Sequence, residues 1–503
     1  MKRDVVRAFL SILGSRVGVF LVALATTPIL VRLLGSSGYG DYALMLSAMG
    51  LAHPILASGT FNGVRKFIAE QRGIRAWRSS VFGFYARVTF VLCAAAGGLL
   101  YAGIATGLME GVFGRRFDVF FLLLIPLLFA RSFLKLGRGA LMGLGAEHLS
   151  EPLRVLERLL FAVLGLSLVY AGWGVSGALA GLLGAAVVVT GATLVLLRPR
   201  LDLTAVLRPT PDRISRPELL SFGFFSVLLG FLTVSLYHVD VLLLQPLGGS
   251  SQTGYYKAAL VVAEFLWFVP MAVQYALVQS VSDFWSRGQR DRVERLVGRI
   301  VRYSATLLLL LILGVAALAP RVVPLYYGAD FRPAVVPLYL LLPGVLGFAL
   351  ARPVFAAGQG IGRLRVLVTA TGVAAAANLA LNLVLIPRFG MHGAAVATSV
   401  SYGSMLVLHV RAARTIGFRP LRDLRPGRLV ITAALSAPVI FGLEAIVAST
   451  ALALVVVPVA GLAVYSTVAL RVRLVEPDDV HRLLQRAPDG LRRGVMRLVR
   501  RLA

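Results

Sequence analysis

The chain has 503 residues, of which 58% are hydrophobic and only 15% are charged, and its mean hydropathy of +0.83 is far above that of a soluble globular protein. A net charge of +28 would indicate a nucleic-acid ligand in a soluble domain, but in a membrane protein the position of each charge decides its meaning. The single Cys93 excludes an intrachain disulfide or a multi-thiolate metal site. The composition therefore predicts an all-α polytopic membrane protein.

Apolar segments bounded by charge, Gly or Pro predict about fourteen transmembrane helices, each of about 20 residues. We place them at 9–31, 40–62, 81–104, 117–142, 152–171, 175–197, 219–246, 254–283, 301–320, 333–357, 364–386, 390–412, 428–447 and 450–471. The first apolar stretch is too long for the core of a secretory signal, so we interpret it as an uncleaved span.

The spans group as six, six and two, and this grouping predicts the domain organisation. We expect an N-terminal six-helix bundle at 1–197, a cytoplasmic linker at 198–218, a second six-helix bundle at 219–412, two extra helices at 413–471 and a basic cytoplasmic tail at 472–503. The linker mixes arginines with prolines, as connections between bundles do.

Positive charge is distributed unevenly along this map. Most of the 51 Lys and Arg residues fall in the N-terminus, the even-numbered connections and the tail, which by the positive-inside rule predicts that both termini are cytoplasmic and that the protein lies in the cell membrane. Arg292, Arg295 and Arg299 share one helical face, so we also expect an amphipathic surface helix in the loop 287–302.

The two halves of the chain repeat each other at an offset of 213 to 217 residues. Gly40-Asp41-Tyr42 returns as Gly254-Tyr255-Tyr256, and Pro54 returns as Pro270. Homologous membrane bundles with broken helices at matching positions are a common transporter architecture. The paired prolines, which remove backbone hydrogen bonds, predict matched bends.

A family resemblance follows from these motifs. The segment from Arg32-Leu33-Leu34-Gly35 to Tyr39-Gly40 and the segment from Asp240 to Gly254-Tyr255-Tyr256 resemble the polysaccharide-export branch of the MOP superfamily. That branch contains the Wzx-type flippases of lipid-linked oligosaccharides, with MurJ and the MATE exporters as relatives. The resemblance implies a V-shaped pair of bundles that alternates between inward-open and outward-open states and moves a polyprenyl-linked glycan head through a polar cavity.

Cations inside the spans are the main candidates for substrate binding, because a charge in a bilayer is costly and normally faces a cavity or a partner. They are Arg16, Arg87, Arg131 and Lys135 in the first bundle and Arg352, the repeat partner of Lys135, in the second. Arg131, Lys135 and Arg138 share one helical face, where they suit a phosphate or pyrophosphate group. Snorkelling to the inner interface is the alternative for Arg16, Arg87 and Arg138.

Other polar residues in the spans suggest weaker assignments. Asp240 and Glu264 are candidates for coupling to a proton gradient, with a structural ion pair to a cation such as Lys257 as the alternative. Asn62, Asn378 and Asn382 could contact sugar hydroxyls, or they could bond helix to helix.

Rival functions remain open. A glycan polymerase or ligase is disfavoured because the outward loops are short and the six histidines show no ligand spacing. We therefore expect no catalytic residue, metal or cofactor, and as partners a lipid-linked glycan, membrane lipids and glycan assembly enzymes rather than nucleic acid. A lipid II flippase and a proton- or cation-coupled MATE-type exporter of small solutes are the alternatives. The two extra helices, which contain Glu444, are expected to extend a groove for the polyprenyl tail.

Overall fold

The computed structural model describes residues 2–70, 72–74, 76–222, 224–483, 490, 492–494, 496 and 499, with the backbone alone at 2–13, 16, 268, 269, 272, 275, 276 and 483. Every regular element in these ranges is helical and none is a strand, which confirms the predicted all-α class. Helices suit a membrane protein because they satisfy their backbone hydrogen bonds internally, where the bilayer offers no partners.

The chain forms two compact units. Unit 1 comprises Met1–Lys257 and Leu379–Ala394, and unit 2 comprises Ala258–Asn378 and Ala395–Ala503. The domain boundaries and the linker drawn from the sequence stay predictions.

Unit 1 contains the first nine helices and the start of the tenth. They are α1 (Lys2–His53), α2 (Gly59–Ala69), α3 (Trp77–Ala105), α4 (Leu108–Phe113), α5 (Phe117–Gly143), α6 (Glu147–Leu168), α7 (Gly174–Leu197), α8 (Arg216–Ser221), α9 (Phe224–Gly248) and α10 (Ser250–Phe265). Two π-helical turns, Pro54–Ser58 and Val169–Trp173, join α1 to α2 and α6 to α7, and a 3-10 turn spans Leu203–Val206.

Unit 2 contains most of the remaining helices. They are α11 (Phe268–Ser286), α12 (Arg290–Tyr327), α13 (Val335–Gly360), α14 (Leu364–Ile416), α15 (Pro426–Ile446), α16 (Thr450–Arg471) and α17 (Pro477–Leu483), with a 3-10 turn at Ala329–Ala334. The middle of α14 belongs to unit 1.

Ten helical stretches among the described residues are long and apolar enough to cross a membrane. Three of them, Val17–Ala69, Glu147–Leu197 and Leu364–Ile416, have 51 to 53 residues, which is enough for two spans each. With the split pair α10 and α11, the stretches are consistent with the fourteen predicted segments. Within the long helices the direction changes at glycines with positive φ, such as Gly35 (65°) and Gly390 (54°), a conformation that a residue with a Cβ rarely adopts.

The paired prolines both lie at irregularities of their helices. Pro54 opens the π-helical turn that ends at Ser58, and Pro270 lies in the first turn of α11, after non-helical backbone at Leu266 and Trp267. Proline removes the hydrogen bond that would hold a regular helix at that point. Bending of these helices during function stays a prediction.

The core of unit 1 lies between α2, α3, α5 and α7. Val64, Phe67, Val81, Leu136 and Val189 are completely buried there. Many apolar side chains of the same helices point outward instead: Leu99 is 75% exposed and Val195 is 70% exposed. Such a large exposed apolar surface is what lipid contact requires.

Unit 2 departs from one expectation about its basic loop. The predicted surface helix at 287–302 is the first part of α12, which continues without a break to Tyr327. Arg292 and Arg295 are exposed, Arg299 is partly buried, and Val293 and Val297 are buried. The predicted amphipathic character is therefore present, but the helix extends well beyond residue 302.

The same helix anchors the start of the C-terminal region within unit 2. The Arg302 guanidinium lies 2.8 Å from the Asp479 carboxylate, to which the Tyr303 hydroxyl donates at 2.6 Å. Burial raises the pKa of Asp479, but the hydrogen bonds from Tyr303 and from the Glu476 backbone, with the charge of Arg302, outweigh it and leave that pKa below its usual value. The carboxylate therefore stays ionised at neutral pH and holds α17 against α12. Most of the tail beyond it lies outside the described residues.

Candidate functional site

Arg131 on α5 forms the best-defined charged contact in the interior of unit 1. Its Nε and Nη2 atoms both donate to Oε1 of Glu157 on α6, at 3.0 and 2.8 Å, and its Nη1 lies 3.5 Å from the sulfur of Met49 on α1. The Arg131 and Glu157 side chains are 15% and 16% exposed. Three helices thus meet at this ion pair.

Lys135 lies one helical turn further along α5 and contacts the π-helical turn. Its Nζ donates to Ser58 Oγ at 2.9 Å and lies 5.8 Å from the centre of the Phe61 ring. A π turn holds more residues than an α turn and so changes which side chains face a neighbouring helix. The irregularity that begins at Pro54 thereby places a hydroxyl beside the lysine.

Two further basic residues complete the group, and the sequence analysis missed both. The charges that act on His53 are those of Lys135 and Arg131, and Arg158 on α6 is close enough to Arg131 and Tyr42 to interact with them electrostatically. His53, Arg131, Lys135, Arg158 and the acidic Glu157 are called the basic cluster below. Their side chains are partly buried.

The basic cluster carries an excess of positive charge. Arg131, Lys135 and Arg158 are matched within it by the single carboxylate of Glu157. Like charges in a partly dehydrated site repel strongly, so an anion that binds there is favoured. Arginine can bind two oxygens of a phosphate through its planar fork.

Arg138, the third residue on the predicted stripe, belongs to a different contact. It forms an ion pair with Glu151 at 3.1 Å and donates to the backbone carbonyl of Ser150, also at 3.1 Å. The Glu151 side chain is 4% exposed and also accepts a hydrogen bond from Ser15 at 2.7 Å. This arrangement joins α1, α5 and α6.

Arg87 is engaged elsewhere in unit 1. It donates to the backbone carbonyls of Ala205 and Val206, each at 3.0 Å, to that of Arg208, and to Thr210 Oγ1 at 2.6 Å. These contacts fix the segment 203–210 against α3, and substrate binding by Arg87 stays a prediction.

The other predicted cations and amides are dispersed. Asn62 is exposed, and the side chain of Arg16 lies outside the described residues. Arg352 is 7% exposed in unit 2, with its guanidinium 4.3 Å from the centre of the Phe348 ring and 3.5 Å from Gln274 Oε1. Asn378 in unit 2 and Asn382 in unit 1 are both buried. Their contact with substrate stays a prediction.

The two candidate coupling carboxylates differ in burial. Asp240 is completely buried on α9 and accepts hydrogen bonds from the Tyr256 hydroxyl and, at 2.8 Å, from the Val241 backbone N–H. Glu264 on α10 is partly buried. In the part of the chain that the structure describes, no group of three or more His, Cys, Asp or Glu side chains could hold a metal ion.

Comparison with known proteins places these features in context. The family model described as "Polysaccharide biosynthesis protein" matches residues 5–278. A curated relative is the probable low-salt glycan biosynthesis flippase Agl15 of Haloferax volcanii, 23% identical over 239 residues. The alignment covers 47% of this chain and 51% of that protein, so the chain spans about half the length of this relative.

Solved structures share the fold over most of the chain. The lipid II flippase MurJ in an inward closed conformation has a TM-score of 0.75 at 12% identity, covering 94% of this chain and all of that one. An inward-facing MATE-family multidrug resistance transporter of the MOP superfamily has a TM-score of 0.67 at 19% identity. The superposition covers 79% of this chain and 94% of the transporter chain. Both likenesses confirm the predicted MOP fold.

Proposed function

Because the chain belongs to the polysaccharide biosynthesis protein family, whose model matches more than half of it, we propose that it flips a polyprenyl-phosphate- or pyrophosphate-linked oligosaccharide across the cell membrane. It does so by alternating access, without catalysing a covalent step. Both termini are on the cytoplasmic side in this proposal, and glycan assembly enzymes supply the substrate. The observation that carries it is the basic cluster.

The chemistry of the substrate fits this cluster. A phosphate or pyrophosphate joins the glycan to the lipid and carries its negative charge wherever the head group goes. Arg131 and Lys135 lie one turn apart on α5, and Arg158 on α6 interacts electrostatically with Arg131. Charge-assisted hydrogen bonds from such groups are about twice as strong as neutral ones. In the absence of substrate Glu157 forms an ion pair with Arg131, and the phosphate oxygens of the substrate displace it.

The alternatives make different demands on the same site. A MATE-type exporter of cationic solutes, which the fold likeness to a multidrug transporter favours, needs an acidic site rather than a basic one. A lipid II flippase would use the same cations, since its substrate also carries a pyrophosphate. The charge of the substrate therefore distinguishes the proposed flippase from a MATE-type exporter, and the identity of the glycan distinguishes it from a lipid II flippase.

The test is transfer of a fluorescent polyprenyl-pyrophosphate-linked sugar between the leaflets of proteoliposomes. We expect the double variant Arg131→Ala with Lys135→Ala to slow transfer at least about tenfold, because each hydrogen bond to a charged group contributes about 1.5–3 kcal/mol. Arg363→Ala with Arg414→Ala, which removes the same charge from exposed positions, should transfer at the wild-type rate.

Two results would count against the proposal. Unchanged transfer by a folded Arg131 and Lys135 double variant would remove the head-group role of the basic cluster. Uptake of a cationic dye by the wild type, without transfer of the lipid-linked sugar, would assign the protein to the exporters.

A further inference from the structure

A cavity of about 370 Å³ lies within unit 1, between α3 and the segment that connects α7 to α8. We call it the α3 cavity. Its wall on α3 is apolar and consists of Phe84, Val88, Val91 and Leu92. These residues lie in the first half of the predicted span 81–104, and Val91 is 62% exposed. An apolar side chain so exposed in a membrane-spanning helix faces lipid, so the cavity opens towards the bilayer.

The rim of the α3 cavity carries two arginines, Arg87 and Arg216. Arg87 donates to Thr210 Oγ1 at 2.6 Å, so its guanidinium holds the segment in place and adds its charge to the rim. The Arg216 side chain is 56% exposed; it donates to the Thr210 carbonyl at 3.3 Å and lies 3.9 Å from the fully exposed carboxylate of Asp212. Such an exposed ion pair contributes little, and Arg216 can therefore bind another anion.

The segment beside the α3 cavity has the composition of a membrane-surface element. Residues 203–216 contain three arginines and one carboxylate, that of Asp212. Leu207 is 88% exposed and, just beyond the segment, Leu220 is 59% exposed. Exposed leucines next to arginines are typical of segments that lie in the headgroup region of a bilayer, with their apolar side chains in the hydrocarbon. The α3 cavity thus lies at the level where lipid phosphates meet acyl chains.

We propose that the α3 cavity binds one anionic phospholipid of the bilayer, with its phosphate on Arg216 and an acyl chain along Val88 and Val91. An arginine rim beside an apolar wall complements both parts of such a lipid, whereas a free phosphate would use the rim alone and a lipid without net charge gains less from it. On the predicted topology the cavity faces the cytoplasmic leaflet, which carries anionic lipids. The bound lipid packs the segment 203–216 against α3, so the order of this segment depends on the charge of the lipid. No transport step enters this inference, and it does not rest on the proposed function.

Amide hydrogen exchange at 203–216 tests this site in the whole protein. The protein is compared in nanodiscs of dioleoyl-phosphatidylcholine and in nanodiscs with an equal mixture of that lipid and dioleoyl-phosphatidylglycerol. We expect phosphatidylglycerol to slow exchange in this segment at least about threefold, because a ligand that binds the closed state of a segment suppresses its local opening. Arg216→Ala should remove this difference between the two lipids. Arg115→Ala, which deletes the same charge from an exposed position between α4 and α5, should keep it.

A second variant tests the apolar wall, and it decides the matter if Arg216→Ala fails to fold. Val88→Phe fills the cavity without changing any charge and should also remove the difference between the lipids, whereas Val163→Phe, at a 63% exposed position on α6, should keep it. Each variant is compared with itself in the two lipids, so a loss of stability common to both does not affect the result.

Three results would overturn the lipid site. The first is equal exchange of the wild type in the two lipids. The second is a difference that persists in folded Arg216→Ala or folded Val88→Phe. The third is equal protection of the segment by glycerol phosphate added to phosphatidylcholine nanodiscs, which would show that the rim binds a free phosphate and that the wall holds no acyl chain.

Discussion

Arg131 owes its position to Glu157, which binds two of its nitrogens through one carboxylate oxygen. A partly buried arginine without a counter-ion is costly, so the ion pair stabilises the packing of α5 against α6. The same carboxylate competes with any anion that approaches. Its removal should therefore have opposite effects on the empty and the occupied protein.

We expect Glu157→Gln to lower the thermal stability of the empty protein and to tighten binding of a polyprenyl pyrophosphate about tenfold. The amide keeps the shape of the side chain but leaves the charge of Arg131 unmatched, and the phosphate oxygens then supply the missing charge. Thermal unfolding with and without the lipid in detergent measures both effects. Glu110→Gln, at an exposed position, is the control; an unchanged affinity in Glu157→Gln would show that the anion binds elsewhere.

At this scale the sequence predicted part of the basic cluster, whose role in binding stays a prediction. Arg131 and Lys135 were found because their separation of four residues on one helix fixes them on the same face. His53, Glu157 and Arg158 come from α1 and α6, and only the packing of three helices brings them to α5. The adjacent charges Glu157 and Arg158 inside a predicted span were the available signal, since two ionisable residues in a membrane segment normally serve a function.

The segment that connects α7 to α8 is an ordered element rather than a loose linker. Arg87 fixes its backbone through three carbonyls and one hydroxyl, and Ser79 Oγ accepts from the Asp202 backbone N–H at 3.0 Å. A second anchor joins Arg72 to Glu218 at 2.6 Å. We therefore expect the segment to move together with α3.

Arg87→Ala should release this segment. We expect faster amide hydrogen exchange at 203–210 and a loss of about 2–4 kcal/mol of local stability, because several charge-assisted bonds disappear together. Affinity for the lipid-linked sugar should remain within about twofold of wild type. Lost affinity with unchanged exchange would instead support the substrate-binding role that the sequence suggested for Arg87.

Element boundaries were the weakest part of the sequence prediction, for a physical reason. The kink at Gly390 divides α14 into two segments, in agreement with the predicted spans 364–386 and 390–412, because a glycine marks the break in the sequence. The division at Leu266 and Trp267 was missed: the predicted single span 254–283 is shared between α10 and α11. The residues on both sides of that break are apolar, so hydropathy does not reveal it.

On the scale of the whole molecule, the proposed transport needs a source of energy. Asp240 is completely buried and bonded to Tyr256, and a carboxylate in that position can link proton uptake to a change of access. A purely structural hydrogen bond is the alternative. Measuring transport with and without a proton gradient distinguishes the coupling role from the structural one.

We expect a proton gradient to speed transfer by the wild type, and Asp240→Asn to abolish this stimulation while preserving the slower transfer without a gradient. Tyr256→Phe, which removes the hydroxyl and keeps the carboxylate, should retain stimulation, and Asp330→Asn, at an exposed position, should behave as wild type. Equal loss in both Asp240→Asn and Tyr256→Phe would indicate a structural bond. Undiminished stimulation in Asp240→Asn would exclude this residue from coupling.

Backbone crowding at Gly40 and Gly254 also limits which substitutions the chain tolerates. A Cβ on Gly40 would lie 1.9 Å from the Ser250 carbonyl oxygen, and one on Gly254 would lie 2.0 Å from that of Ser36. The next positions of the two repeats, Asp41 and Tyr255, differ, whereas both glycines are kept. A mutational scan should therefore find both glycine positions intolerant of any side chain.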